Sequence, residues 1–306
     1  MSFSRDIADY PEGIVLAVDK PYRWTSADVI RKLKYAAIKH FGKKNLKVGH
    51  AGTLDPLATG VLLVCIGNAC KRAQELQDHD KEYIARIRLG ATTPSYDLEK
   101  EVDRRFPYEH ITREAVEAAL PAFLGEQEQV APLFSAKSVD GVRAYELARK
   151  LYKAGQTDAI DAAALQTLHR SRIVISELEL LDFIPAGCDG YGVRGDSVPL
   201  RSTPAPPPGS ASGPLPLPSS GGGQAPRTPY PSPSSRINVA DTSALGLPKA
   251  VIRIACSKGT YIRAFARDLG EALGSGAHLS GLIRSRSGAY RIEDALTMDQ
   301  VLALLA

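Results

Sequence analysis

Apolar and polar positions follow two different periods along the chain, and these periods predict both strands and helices. Strands are predicted where apolar residues run continuously or alternate with a period of two: GIVLAVDKP, VLLVCIG, YIARIRLG, SRIVISELELLDFI and VIRIACS. Helices are predicted where apolar residues recur every three or four positions behind a capping residue, as after Thr25 and Thr112. Further helices are predicted for RAYELARKLYKAG, for residues 261–273 and from Asp299 onwards.

The order of these elements indicates the fold class. Strands and helices mingle without a strict strand–helix–strand alternation, and the Asp-Gly pair in SVDGV is typical of a hairpin turn. The pattern therefore favours an α+β fold with a mixed, largely antiparallel sheet and packed helices over a doubly wound parallel fold.

One segment differs from the rest in composition. Of the 21 prolines in the chain, 12 fall between Pro199 and Pro233, among Ser, Gly and Ala. Such a segment buries too little apolar surface to offset its ordering entropy. We therefore expect residues 187–246 to be a disordered insertion in a single domain formed by residues 1–186 and 247–306. A domain boundary is the alternative, but the strand VIRIACS after the gap lacks a domain of its own.

Composition limits the class of protein only broadly. A hydrophobic content of 44% and a charged content of 24% are ordinary for a soluble globular protein. No run of apolar residues approaches the roughly 20 that a membrane-spanning helix needs, and the acidic start is not a secretory signal. Four cysteines without C-x-x-C spacing indicate free thiols, so we expect a cytoplasmic protein. The net charge of +4 is compatible with a polyanionic partner but is not specific.

The most unusual segment is GHAGTLDPLATG, residues 49–60. It combines one carboxylate, one imidazole, three glycines and two hydroxyls just before a fully apolar strand. Glycine lets the backbone approach a ligand closely, and the proline after Asp55 restricts the direction of the carboxylate. A simple turn in which Asp55 caps local amides is the alternative. The spacing of a P-loop is absent.

A second segment, SKGTYIR, places Arg263 in the first turn of a helix. The helix dipole disfavours a cation at that end, so a carboxylate or phosphate partner is indicated, unless the side chain is simply exposed. Basic residues also recur near the hairpin and near the end of the chain, among them Arg143 and Arg284. Arg and Tyr are suited to phosphates and unstacked bases, although charge runs are usually solvated faces.

Taken in order, six segments resemble the TruB family of tRNA pseudouridine synthases. They are DKP (19–21), GHAGTLDPLATGVL (49–62), KEY (81–83), SAKSVDGVRAYELAR (135–149), CSKGTYIR (256–263) and GAHLSGLIRSRSG (276–288). Apart from the insertion, the resemblance spans residues 13–291. It implies a pseudouridine synthase fold and isomerisation of the T-loop uridine at position 55 of tRNA, by a catalytic aspartate and base flipping.

The resemblance also assigns residues and partners. Asp55 corresponds to the catalytic aspartate, Tyr83 to the tyrosine that stacks on the target base, and Arg263 to the arginine paired with the aspartate. Residues lining the flipped-nucleotide pocket or supporting the opened loop are His50, Tyr261 and Leu282; further candidates for RNA contacts are Lys20, Lys81, Arg143 and Arg284. The expected partner is the T-arm of tRNA, with no obligate protein partner and no membrane. The reaction is redox-neutral, so neither cofactor nor metal is expected.

The sequence departs from the family pattern in three places. Ile283 stands where the family often has an arginine, and the Pro/Ser/Gly-rich insertion is not a family feature. The chain is also expected to lack the C-terminal PUA domain of many members. A synthase for another RNA, an RNA-binding module without turnover and a metal-dependent nuclease are the rival functions. Whether Asp55 attacks C1′, attacks C6 or acts as a base stays open.

Overall fold

The computed structural model describes residues 3–135, 137–139, 142–168, 170–188, 237 and 239–306. The strands are β1 (Ile14–Lys20), β2 (Val48–Ala51), β3 (Ala58–Ile66), β4 (Lys81–Leu89), β5 (Ala91–Thr92), β6 (Arg104–Arg105), β7 (Gly125–Gln129), β8 (Ser138–Val139), β9 (Val142–Arg143), β10 (Ser171–Ile184), β11 (Lys249–Cys256), β12 (Ala277–Ser287) and β13 (Tyr290–Arg291). The α-helices are α1 (Ser26–Phe41), α2 (Ala73–Asp78), α3 (Arg113–Ala119), α4 (Ala144–Lys153), α5 (Ala159–Thr167), α6 (Ile262–Ala272) and α7 (Met298–Leu304). Within these described ranges no helix has the length and apolar character needed to cross a membrane.

Nine of the strands form one sheet. Its order is β1-β3-β12-β4-β11-β10-β7, with β2 beside β3 and β13 beside β12. The pair β3–β12 is parallel, whereas the other pairs in the sheet are antiparallel. The predicted α+β class with a mixed, largely antiparallel sheet is confirmed.

Helix α1 forms where the sequence predicts it because a capping box starts it and a glycine ends it. The Thr25 hydroxyl accepts a hydrogen bond from the Asp28 amide, and the Asp28 carboxylate accepts one in return from the Thr25 amide. Gly42 ends the helix in the left-handed conformation at φ 61°. Between them, Val29, Leu33 and other apolar residues of α1 pack against β1, β3 and α7. Each such fully buried side chain stabilises the fold by roughly 1.5–3 kcal/mol.

Strands β3 and β12 run parallel, and Gly60 of β3 pairs with Arg284 of β12. Gly60 has φ +98°, and a Cβ added there would lie 2.3 Å from the carbonyl oxygen of Arg284. Only glycine therefore allows the two backbones to approach this closely. Because β3 follows the loop that contains Asp55, this close approach fixes where that loop ends relative to the centre of the sheet.

The expected extent of the insertion requires a correction. Ala240 and Thr242 are 2% and 4% exposed, and the Ala240 amide donates to the carbonyl of Leu98 at 2.8 Å. Arg88 donates to the carbonyl of Thr242. Residues 239–246 are therefore packed on the body, because small and apolar residues after the proline-rich part give it surface to bury. Residues 189–236 and 238 of the expected insertion lie outside the described residues.

Replacing Gly60 by alanine should lower the free energy of unfolding by about 2–5 kcal/mol. The methyl group would add left-handed backbone strain to a clash with a neighbouring backbone. Urea denaturation of the purified variant measures this loss. Gly42→Ala is the matched control, because Gly42 is also left-handed but has nothing within 4 Å of the added Cβ. Equal losses in the two variants would contradict the role assigned to the close approach of β3 and β12 at Gly60.

Candidate active site

Asp55 lies in the loop between β2 and β3, at residues 52–57. Its side chain is 37% exposed, whereas the neighbouring Leu54 is buried in the core. The Ser26 hydroxyl, at the start of α1, accepts from the Leu54 amide at 2.9 Å and donates to the Leu54 carbonyl at 3.1 Å. Pinning Leu54 inward in this way turns the adjacent carboxylate towards the solvent-accessible side.

Lys20 binds the end of the same loop, at Pro56. Its side chain is fully buried, and its Nζ donates to the carbonyl oxygens of Pro21 at 2.9 Å, Trp24 at 2.6 Å and Pro56 at 3.2 Å. Three acceptors match the three N–H bonds of an ammonium group. Burial lowers the pKa of Lys20 to about 7, and the charge of Asp55 opposes that shift. The expected contact between Lys20 and RNA is therefore corrected to a structural one.

Arg284 has a similar position under the start of the loop. It is 1% exposed, and its guanidinium donates to the carbonyls of Val61 at 2.6 Å, Thr53 at 3.3 Å and Gly52 at 3.2 Å. Lys81 is also buried and donates to the carbonyls of Gln77 and His79. The RNA contacts expected of Arg284 and Lys81 do not fit these positions, because both cations face inward from their strands.

Arg263 and Asp55 meet as the sequence predicts. Arg263 Nε lies 2.9 Å from one carboxylate oxygen of Asp55, and Nη2 donates to the other oxygen at 3.3 Å. The arginine comes from the first turn of α6 and is 5% exposed. Burial acts to lower the pKa of Arg263, but the charges of Asp55 and Asp97 outweigh it and raise that pKa. This side-on, two-point contact fixes the orientation of the carboxylate.

Asp97 is a member of the site that the sequence did not indicate. Its Oδ2 lies 3.7 Å from Arg263 Nε, and its Oδ1 accepts from the Ser95 hydroxyl at 2.7 Å and the Glu99 amide at 2.9 Å. Burial raises the pKa of Asp97, and the charge of Arg263 opposes this. Arg263 thus lies between two carboxylates, one buried and one facing the pocket. An Asp in a Ser/Tyr/Asp-containing loop is typical of a turn, so only the fold brings it to notice.

Asp55 and Arg263 face a pocket on this side of the sheet. Its other lining residues are Tyr22, Leu57, Ala58, Asp97, Leu98, Leu279, Ser280, Gly281 and Leu282. Leu282 is thus placed where the sequence predicts a pocket residue. Tyr83, on β4 opposite Arg284, is 8% exposed and packs in the same core cluster as Leu54. Burial raises the pKa of Tyr83, and the charge of Arg284 opposes this shift.

The remaining predicted residues surround this centre without lining it. His50 is half-buried on β2, and burial lowers its pKa, which favours a neutral imidazole. Tyr261 precedes α6; its amide donates to the Gln129 side chain at 2.8 Å, and its ring packs against the α4–α5 cluster. Arg143, immediately before α4, is exposed and is the one of the four expected RNA-contacting cations that lies at the surface.

Comparison with known proteins identifies the family. A model described as TruB family pseudouridylate synthase (N terminal domain) matches residues 38–182, and one described as tRNA pseudouridylate synthase B C-terminal domain matches residues 263–306. The tRNA pseudouridine synthase B of Phocaeicola vulgatus is 44% identical over 291 residues, covering 95% of this chain and 92% of the relative. The chain belongs to the TruB family. The Thermus thermophilus TruB-family relative of the same name is 38% identical over 286 residues, covering 93% of this chain and 76% of the relative.

Solved structures support the fold assigned to this TruB-family chain. A chain from the crystal structure of a Cbf5-Nop10-Gar1 complex gives a TM-score of 0.54 at 21% identity, over 97% of this chain and 56% of that one. A chain from an H/ACA RNP bound to a substrate RNA containing 2′-deoxyuridine gives 0.51 at 19% identity, over 95% and 53%. This protein spans little more than half the length of those chains. The expected pseudouridine synthase fold is confirmed.

Asp97→Asn should reduce the rate of product formation by roughly 10- to 100-fold, the effect of about 1.5–3 kcal/mol from a hydrogen bond or ion contact to a charged group. The amide retains the shape of the side chain but not its charge. The Arg263 guanidinium then pairs with Asp55 alone and loses the second carboxylate that holds it in position. Single-turnover assays with tRNA in excess of its dissociation constant measure the effect. Asp182→Asn is the control, because Asp182 pairs with Arg113 at 3.5 Å and does not line the pocket. A rate equal to that of the control would contradict the positioning role.

Proposed function

We propose that this protein isomerises the T-loop uridine at position 55 of tRNA to pseudouridine, with Asp55 as its catalytic residue. The observation that carries the proposal is the half-exposed carboxylate gripped from one side by a buried arginine at the edge of a pocket. The family and the names of the relatives support the same reaction and substrate class. The substrate we propose is the T-arm, handled in the cytoplasm without an obligate protein partner.

The reaction needs little more than one well-placed carboxylate. The N1–C1′ bond of the uridine breaks, the base turns within the pocket, and a C5–C1′ bond forms while the C5 proton leaves to solvent and N1 takes up a proton from solvent. An ionised Asp55 can attack C1′ or C6 as a nucleophile, or remove a proton as a base. All three routes require a carboxylate aimed at the nucleotide, and the contact with Arg263 holds its direction.

The target nucleotide must leave its stack before its base can turn. We propose that it enters the pocket beside Leu282, with Tyr83 as the stacking face and with His50 and Tyr261 supporting the surrounding loop. Because the Tyr83 ring is buried here, stacking requires the flipped base to displace side chains that now cover it. We propose that Arg143, which is exposed, and the basic helix α4 contact the phosphates that lead into the pocket.

We further propose that all the described residues form one catalytic domain. The antiparallel pairing of β10 with β11 supports this, since it joins the two stretches of chain on either side of the insertion within one sheet. Residues 239–248 then belong to the domain, and the inserted part is confined to the residues between 188 and 239.

Asp55→Asn should abolish turnover while leaving tRNA binding nearly intact. The amide preserves shape but has neither the nucleophilicity nor the basicity of the carboxylate. Release of tritium from tRNA labelled at uridine C5, measured in a single turnover, detects the loss. Wild-type enzyme on tRNA that lacks the T-loop uridine is the matched blank for the substrate assignment. A variant that retained even a few per cent of the wild-type rate would refute the catalytic assignment.

Arg263→Lys should slow tritium release more than its retained positive charge would indicate, by roughly 10- to 100-fold. Lysine is a point charge on a flexible stem and cannot hold both Asp55 oxygens in the observed side-on contact. Arg267→Lys, one turn further along the same helix and paired with Asp268, is the comparison that reports general damage to α6. If both variants kept the wild-type rate, the Arg263–Asp55 contact would have no part in catalysis.

A further inference from the structure

The turn at residues 21–24 borders the catalytic pocket and displays an aromatic ring there. Tyr22 is 46% exposed and lines the pocket together with Asp55, Leu57 and Leu98. Trp24, from the same turn, packs instead against the core cluster beneath α1. Of the two aromatic side chains in this turn, Trp24 therefore packs on the core, whereas Tyr22 lines the pocket.

This turn is held firmly against the loop that carries Asp55. The Arg23 amide donates to the Pro56 carbonyl at 2.9 Å, and Lys20 gathers the carbonyls of Pro21, Trp24 and Pro56 around one buried nitrogen. Arg23 adopts φ +63°, a left-handed conformation that costs a non-glycine residue about 1–2 kcal/mol and persists only where its surroundings impose it. Tyr22 and Asp55 are therefore fixed relative to each other.

The far side of the turn is also tied down. Arg23 Nη2 donates to the carbonyl of Ile237 at 2.6 Å, and Ala240 donates to Leu98, which shares the pocket with Tyr22. The ring consequently stands on a turn braced from two directions, with the apolar side chains of Leu57 and Leu98 in the same wall. A half-exposed aromatic face on a fixed turn, bounded by aliphatic groups, is suited to stacking on a nucleobase.

We propose that Tyr22 stacks on the unpaired base next to the flipped uridine, so that the turn at residues 21–24 forms a second base-binding subsite at the mouth of the pocket. The inference rests on the proposed function. When one nucleotide leaves a loop, its neighbour loses a stacking partner, and Tyr22 supplies a replacement face beside the opening through which the uridine enters. The subsite thereby compensates part of the cost of flipping.

The test compares Tyr22→Ala and Tyr22→Phe with wild-type protein on a T-arm stem-loop RNA. We expect the alanine variant to weaken binding roughly 5- to 100-fold and to lower kcat/KM by the same factor, whereas phenylalanine keeps both. Tyr35→Ala is the matched control, because Tyr35 is 75% exposed on α1 and does not line the pocket. We expect its binding and activity to equal those of the wild type.

A fluorescent base analogue makes the stacking visible. With 2-aminopurine placed in turn on each side of the target position, wild type and Tyr22→Phe should quench one of the two probes, and Tyr22→Ala should not. Unchanged affinity and quenching in Tyr22→Ala would overturn the proposal, as would equal losses in the phenylalanine or Tyr35 variants. Wild-type protein that binds and quenches without releasing tritium would refute the proposed function while leaving the subsite supported.

Discussion

The loop that carries Asp55 is rich in glycine and contains a proline, so its position depends on the two buried cations beneath it. Lys20 and Arg284 together donate to six carbonyl oxygens, four of which belong to residues 52, 53, 56 and 61 in or beside the loop. Each buried carbonyl left without a donor costs about 1–3 kcal/mol, so removing either cation destabilises several points of the loop together. Because Lys20 and Arg284 donate their hydrogen bonds to carbonyl oxygens and not to a carboxylate, Asp55 can pair with Arg263.

The arrangement around Arg263 gives up stability in order to fix a geometry. Asp97 is 7% exposed and its pKa is raised, so the folded protein holds a proton there more tightly than the unfolded chain does. That preference favours the folded state fully below the ordinary pKa of aspartate and is lost as the pH rises through the raised pKa. Ionisation of Asp97 therefore weakens the fold. In return, Arg263 is confined between two carboxylates and cannot rotate away from Asp55.

Much of this organisation could be predicted from the sequence, and the rest was missed for identifiable physical reasons. The capped helix α1 and the pairing of Asp55 with Arg263 follow from local signals and from the family resemblance. Lys20 was predicted as a candidate for RNA contact, although it continues the inward phase of Ile14, Leu16 and Val18 in β1. Period alone thus indicated its burial, but a lysine is rarely buried unless its ammonium group is fully satisfied.

Contacts between distant segments account for the other omissions. Arg284 faces inward because β12 runs parallel to β3 at Gly60, and no local pattern on either strand announces that pairing. Asp97 becomes a partner of Arg263 only when the loop before β6 reaches the start of α6. Composition predicted a proline-rich insertion but did not predict where the packed body resumes, because proline and serine content says nothing about what the following residues can bury.

The return of the chain after the insertion connects that region to the chemistry. Arg23 donates to the carbonyl of Ile237, and Ala240 donates to that of Leu98. Leu98 lines the pocket, and Arg23 follows Tyr22, which also lines it. The sheet itself does not need this route, since β10 and β11 pair directly from Ile184 and Lys249. The segment ending at β11 therefore contributes to the shape of the site rather than to closure of the sheet. The length of a loop can vary at little entropic cost, whereas these few contacts beside Tyr22 and Asp97 constrain the residues that lead into β11.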